Sequence, residues 1–130
     1  MLAQAAVIGF VPVSDMAAAE RFYAGVLGLL VVERGPFALV VSSAVGAKVR
    51  CALTPGAKAQ PSTVLGWEVS EIHAAVKELR GAKIEPILYP HFKQDEDGAW
   101  TAPGGGMVAW FHDPDGNVLS LSQPAEAANG

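Results

Sequence analysis

The sequence predicts an α+β fold made of two tandem βαβββ modules. Two observations carry that prediction. The segments "VIGFVPVSDMAAAERFY" and "VLGWEVSEIHAAVKEL" align with a constant offset of 56 residues, which pairs Val13 with Val69, Ser14 with Ser70, Asp15 with Glu71, Met16 with Ile72 and Ala19 with Ala75. In each copy an extended run leads into a stripe of apolar residues at helical spacing, and three strand-like segments follow.

The first strand, "VIGFVPV", alternates so that Val7, Val11 and Val13 face the helix while Ile8, Phe10 and Pro12 face away. Ser14 is the expected N-cap, with Asp15 in the first turn where the helix dipole favours an acid. Met16, Ala19, Tyr23, Val26 and Leu27 form the buried stripe of the helix, which closes at Gly28 in a left-handed C′ position. The strands "LLVVE", "FALVVSS" and "KVRCALT" complete this module.

The second copy repeats the plan. Val64, Gly66 and Glu68 face away from the helix, Ser70 caps it, and Ile72, Ala75, Val76 and Leu79 form its stripe, with Gly81 at its end. Its strands are "KIEPIL", "GMVAWF" and "NVLSLS", and the polar excursion "YPHFKQDEDGAWTAPGGG" (89–106) has the length of a functional loop. The expected organisation is a single domain, 1–130, with modules at 5–55 and 63–123, a linker at 56–62 and a tail at 124–130.

Composition limits the function classes. The chain is 51% hydrophobic with a net charge of −4, and its mean hydropathy is +0.29. No apolar run reaches the ~20 residues of a membrane span, and the N-terminus has no basic segment before a cleavage site, so a cytoplasmic protein is expected. The nine Lys and Arg are scattered, which argues against nucleic acid or an anionic membrane as partner. Cys51 reads as a small core residue.

The stretch "VAWFHDPDGNVLSLSQ" places His112, Asp113 and Asp115 close together. Asp-Pro-Asp-Gly carries Pro and Gly where a type I turn wants them, and Asp at its first position can bond its own backbone, so 113–116 reads as a hairpin turn. A tight turn splays its side chains, which works against convergence on a metal.

With "VSDMAAAERFYAGVLGL" and "AWFHDPDGNVLSLSQ" together, the chain from about residue 5 to 123 resembles the vicinal oxygen chelate superfamily, which comprises the glyoxalase, bleomycin-resistance and extradiol-dioxygenase proteins. The resemblance implies that the modules form a curled mixed sheet around a groove. In the metalloenzymes of that family, His, Glu or Gln from the first and fourth strands of each half hold a divalent ion. Here those positions fall on Ile8, Val64, Cys51 or Ala52, and Ser120, so no metal and no cofactor is expected. His73 reads as a solvated helix residue, and His91 and His112 as surface or hydrogen-bonded histidines.

The residues expected to bind a ligand in the groove are Phe10, Arg50, Glu68, His91, Trp100, Trp110 and Ser120, with Tyr89 and Phe92 adding to its aromatic character. If the hairpin closes at Asp-Pro-Asp-Gly, Trp110 and Ser120 become neighbours. The leading expectation is a metal-independent, bleomycin-resistance-like protein that binds a small aromatic or hydrophobic molecule, and a homodimer. The alternative is a lyase, isomerase or dioxygenase using an unrecognised metal site or a Glu68/His91 acid-base pair. Whether the chain is an enzyme stays open at this point.

Overall fold

The computed structural model describes residues 1–126, and the rest of the expected tail, 127–130, lies outside the described residues. The chain divides into two compact units, Met1–Ala59 and the part from Gln60 onward. In the first, β1 (Ile8–Val13) leads into α1 (Met16–Glu20), which continues as a π-helical turn (Arg21–Val26), and β2 (Leu30–Arg34), β3 (Ala38–Ser42) and β4 (Lys48–Leu53) follow. The second holds β5 (Thr63–Glu68), α2 (Ile72–Gly81), β6 (Trp100–Thr101), β7 (Met107–His112) and β8 (Val118–Gln123). The predicted α+β class and tandem βαβββ plan are present as two mixed four-stranded sheets. Their strand orders, β1-β4-β3-β2 and β5-β8-β7-β6, are equivalent, and in both the first strand runs parallel to the last.

Alternation along the strands builds most of each core on the face turned to the helix, with Val40 and Val118 buried on the other face. In the first unit Val11, Val13, Leu39, Val41, Val49 and Cys51 are buried with Ala19, Phe22 and Tyr23 of the helix. In the second, Ala109, Phe111, Leu119 and Leu121 are buried with Ile72 and Val76 of α2. Trp67 adds to that side by stacking on Phe111, with ring centroids 6.2 Å apart.

The structure corrects several local expectations. Val7 precedes β1 and is exposed rather than turned onto the helix. Val26 is exposed as well, whereas Phe22 is buried. The Leu27 amide donates to the Phe22 carbonyl five residues back (2.9 Å), and this wider turn sets Phe22 and Tyr23 side by side, edge to face at 5.0 Å. Asp15, not Ser14, caps α1: its Oδ1 accepts from the Ala18 amide at 3.0 Å. At α2 the longer Glu71 side chain makes no cap bond, and the Ile72 amide donates instead to Gln123 Oε1 at 2.8 Å.

Gly28 does take the left-handed conformation (φ 76°), but Gly81 ends α2 within the helix and the left-handed residue is Lys83 (φ 65°). The predicted strand "KIEPIL" is absent, because Pro86 has no N–H to give a ladder. The module's second strand is the two-residue β6, taken from within the excursion.

The Asp-Pro-Asp-Gly stretch forms the predicted turn between β7 and β8. Gly116 (φ 83°) donates its amide to the Asp113 carbonyl at 3.0 Å. Asp113 is buried. Its Oδ1 accepts from the amides of Asp115 (2.9 Å) and Asn117 (2.8 Å), and its Oδ2 accepts from Asn117 Nδ2 (2.9 Å). Its carboxylate is the centre of the turn.

Candidate functional site

In the second unit the sheet face turned away from α2 carries two cross-strand rows. Gly66, Ser120 and Trp110 form one; Glu68, Ser122, Val108 and Trp100 form the other. Trp110 and Ser120 are therefore direct partners, as the hairpin register predicted. A Cβ at Gly66 would overlap the Ser120 hydroxyl, so a larger residue there would require that hydroxyl to rotate away.

A wall of rings stands on this face. Phe92 lies flat on Trp110, with centroids 5.2 Å apart and planes 4° from parallel, and it is 4.7 Å from Trp100 and 4.4 Å from His91. Tyr89 meets Trp110 edge-on at 5.2 Å. Trp100 and Trp110 are 6.4 Å apart. Tyr89, Phe92, Trp100 and Trp110 are half-buried and His91 is exposed. Sequence reasoning placed Phe92 only in a supporting role, yet it is the centre of the cluster; an apolar ring inside a polar loop was the available signal.

The loop that carries these rings is held by polar side chains. Gln94 Oε1 accepts from the Tyr89 amide (2.7 Å), and its Nε2 donates to the carbonyls of Ile87 and Gly98 (both 2.8 Å). The Ile87 amide in turn donates to the Trp110 carbonyl at 2.7 Å. Gly98 (φ 75°) admits no side chain, since a Cβ would lie 2.7 Å from the ring of Pro86. Arg80 of α2 donates to Asp97 (2.7 Å), to Glu85 (3.0 Å) and to the Glu96 carbonyl (2.8 Å).

His73 is not merely solvated. It pairs with Asp95 at 2.8 Å and ties α2 to the same loop. Burial alone would push the Asp95 carboxyl up, but the bonds from His73 and from the amides of Ala99 and Asp97 outweigh it and hold it below the ordinary carboxylate range. A lowered folded-state value stabilises the fold above the ordinary range, and that contribution disappears as pH falls toward the lowered value. In urea melts across pH 2–5, Asp95→Asn should therefore show a smaller acid-driven loss of stability than the parent chain, with the difference confined to the region below about pH 4.

In the first unit the equivalent face brings together Phe10, Arg50 and Val40 across β1, β4 and β3. Phe10 is exposed, and the Arg50 guanidinium carbon sits 5.9 Å from its ring centroid, a cation–π arrangement. The expected ligand residues thus fall into two groups. Phe10 and Arg50 meet in the first unit; His91, Trp100, Trp110, Ser120 and Glu68 share one face of the second. Glu68 is exposed, and no hydrogen bond among the described residues joins it to His91.

The positions implied for metal ligands offer a poor donor set. Ile8 and Val64 are exposed hydrocarbon, Cys51 is buried on the helix side of its sheet, Ala52 has no donor, and Ser120 contributes only a hydroxyl. Among the described residues no three His, Cys, Asp or Glu side chains come together. These residues do not fit a divalent ion of the kind the resemblance implies.

The model of the Glyoxalase/Bleomycin resistance protein/Dioxygenase superfamily matches residues 3–121. Among solved structures, the chain is similar to TnmS3, an antibiotic binding protein from Streptomyces sp. CB03234, with 24% identity, a TM-score of 0.72, and 96% of this chain and 99% of that one covered. It is also similar to the oxidase ChaP-H2, with 23% identity, a TM-score of 0.71 and coverage of 99% and 100%. A superfamily member from Sphaerobacter thermophilus DSM 20745 has 19% identity, a TM-score of 0.73 and coverage of 95% and 100%. No curated protein matches the sequence significantly.

Proposed function

Because the chain belongs to the glyoxalase/bleomycin resistance protein/dioxygenase superfamily, we propose that it acts as a binding member of that family, taking a small aromatic or hydrophobic molecule without a metal. The observation that carries this reading is the ring wall on the open face of the second sheet: Trp110, Phe92, Trp100 and Tyr89 are assembled by hydrogen-bonded backbone and are not fully buried. Aromatic surface left in water at a site braced in this way is surface that a planar ligand can cover. The antibiotic-binding neighbour supports the reading in so far as the same fold serves that task there.

The ion-dependent enzyme alternative draws no support from the hydrocarbon at Ile8 and Val64. The acid-base alternative rests on Glu68 and His91, which are both exposed and share no hydrogen bond among the described residues. Neither alternative has an observation of its own.

Two titrations test the proposal. A neutral planar probe, 2-naphthylmethanol, should quench the indole fluorescence saturably. Mn²⁺, Ni²⁺ or Zn²⁺ added after chelation should leave the melting temperature within about 1 °C, because a ligand that binds only the folded state raises it. Absence of saturable quenching, or a rise of several degrees with one of these ions, would overturn the reading.

A further inference from the structure

We infer that the open face of the second sheet selects planar aromatic molecules that bear a positive charge; this rests on the binding reading above and names its ligand class. Stacking by itself does not distinguish one planar molecule from another, because every aromatic ring offers the same kind of face. The polar points beside the rings decide what stays bound.

Those points are Glu68, Ser120 and Ser122, whose side-chain oxygens make no hydrogen bond among the described residues. Glu68 lies one row along from Trp110, across β8. With strands about 4.8 Å apart and about 3.3 Å per residue, its Cα is roughly 12 Å from that of Trp110. Two side chains reaching toward each other close most of that gap, and a fused bicyclic ring with an ammonium one or two bonds away spans the remainder.

Charge bias in the sequence points the same way: residues 60–130 hold ten acids against four Lys and Arg, a net −6, whereas residues 1–59 hold three against five, a net +2. A cationic ligand would be drawn toward the half that carries the ring wall.

The duplication supplies an internal comparison. Phe10 and Arg50 are register partners in the first sheet, as Gly66 and Ser120 are in the second, and Gly66 is the 56-residue repeat mate of Phe10. In the first unit a protein cation, Arg50, already lies over the ring. At the equivalent place in the second unit the residues are small, and the nearby charge is the carboxylate of Glu68.

Three probes with one ring system test the inference: 2-naphthylmethylammonium, 2-naphthylmethanol and 2-naphthylacetate, titrated at pH 7 and low salt with indole quenching as readout. The cation should bind about five- to tenfold more tightly than the alcohol and the acetate less tightly than either, the preference shrinking as salt is raised. Glu68→Gln should reduce the cation-to-alcohol ratio to about one, whereas Glu78→Gln, which removes the same charge from the exposed side of α2, should leave the ratio near that of the parent. Equal affinities for the three probes in the parent would overturn the inference and leave the binding proposal standing. A preference that survives Glu68→Gln, or that falls equally in both variants, would overturn it too, and saturation by none of the three would remove the binding proposal and this inference together.

Discussion

Replacing Trp110 with alanine is expected to weaken binding of a planar aromatic probe by roughly 30- to 100-fold, the 2–3 kcal/mol cost of losing a central aromatic anchor. Trp110 contacts both arms of the ring wall, Phe92 in parallel and Tyr89 edge-on, and its backbone carbonyl receives the Ile87 amide that starts the loop. Truncation removes the surface on which Phe92 rests, so the loss extends beyond one ring. Some loss of stability should accompany it, about 2 kcal/mol, near the low end for large-to-small changes because the ring is only half-buried. Trp110→Phe separates the two effects: it keeps a ring under Phe92 and should recover most of the binding. Trp67→Phe is the contrasting variant, because Trp67 stacks on Phe111 on the helix side and should affect stability with little effect on affinity. If Trp110→Ala binds the probe like the parent in a fluorescence or calorimetric titration, the ring wall is not the site.

Asp113→Ala is expected to be the most destabilising single substitution at the β7–β8 turn, by about 3–4 kcal/mol in equilibrium urea unfolding, or a fall of roughly 10–15 °C in melting temperature. The substitution leaves three donors without their acceptor: the Asp115 and Asn117 amides and Asn117 Nδ2. Asn117 is almost fully buried, so water cannot take the carboxylate's place without reorganising the turn. The effect should also reach the site, since β7 and β8 carry Trp110 and Ser120. Asp113→Asn should recover part of the loss, because its carbonyl can accept from the backbone while its amide nitrogen faces the Asn117 amide unfavourably. A loss below about 1 kcal/mol for Asp113→Ala would mean that backbone conformation alone holds the turn.

The repeat at 56 residues, the strand alternation and the Asp-Pro-Asp-Gly turn were all legible because each depends on residues near one another in sequence. So was the juxtaposition of Trp110 with Ser120, since a hairpin's turn sets its register. The errors share a physical origin too. Two helix-cap assignments failed because Ser and Asp compete for the same role at neighbouring positions, and because Gln123 reaches α2 from a strand 51 residues away. The burial of Phe22 instead of Val26 depends on a widened helical turn that a 3.6-residue period does not anticipate.

Within the candidate site, residue type was more readable than arrangement. Aromatic residues in a long polar loop were visible in the chain, and so was hydrocarbon at Ile8 and Val64, two of the places where the resemblance implies metal ligands. That Phe92 lies flat on Trp110, that Gln94 fastens the loop at three points, and that His73 and Arg80 anchor it to α2 could not be read in the same way.

Local sequence was enough to establish the duplicated βαβββ plan, its turn, and which residues of most strands share a face, because period and turn preference are properties of short segments. Which rings stack, which acids are paired and which remain available were settled by folding, because those outcomes depend on contacts between segments that only the packed chain brings within a few ångströms.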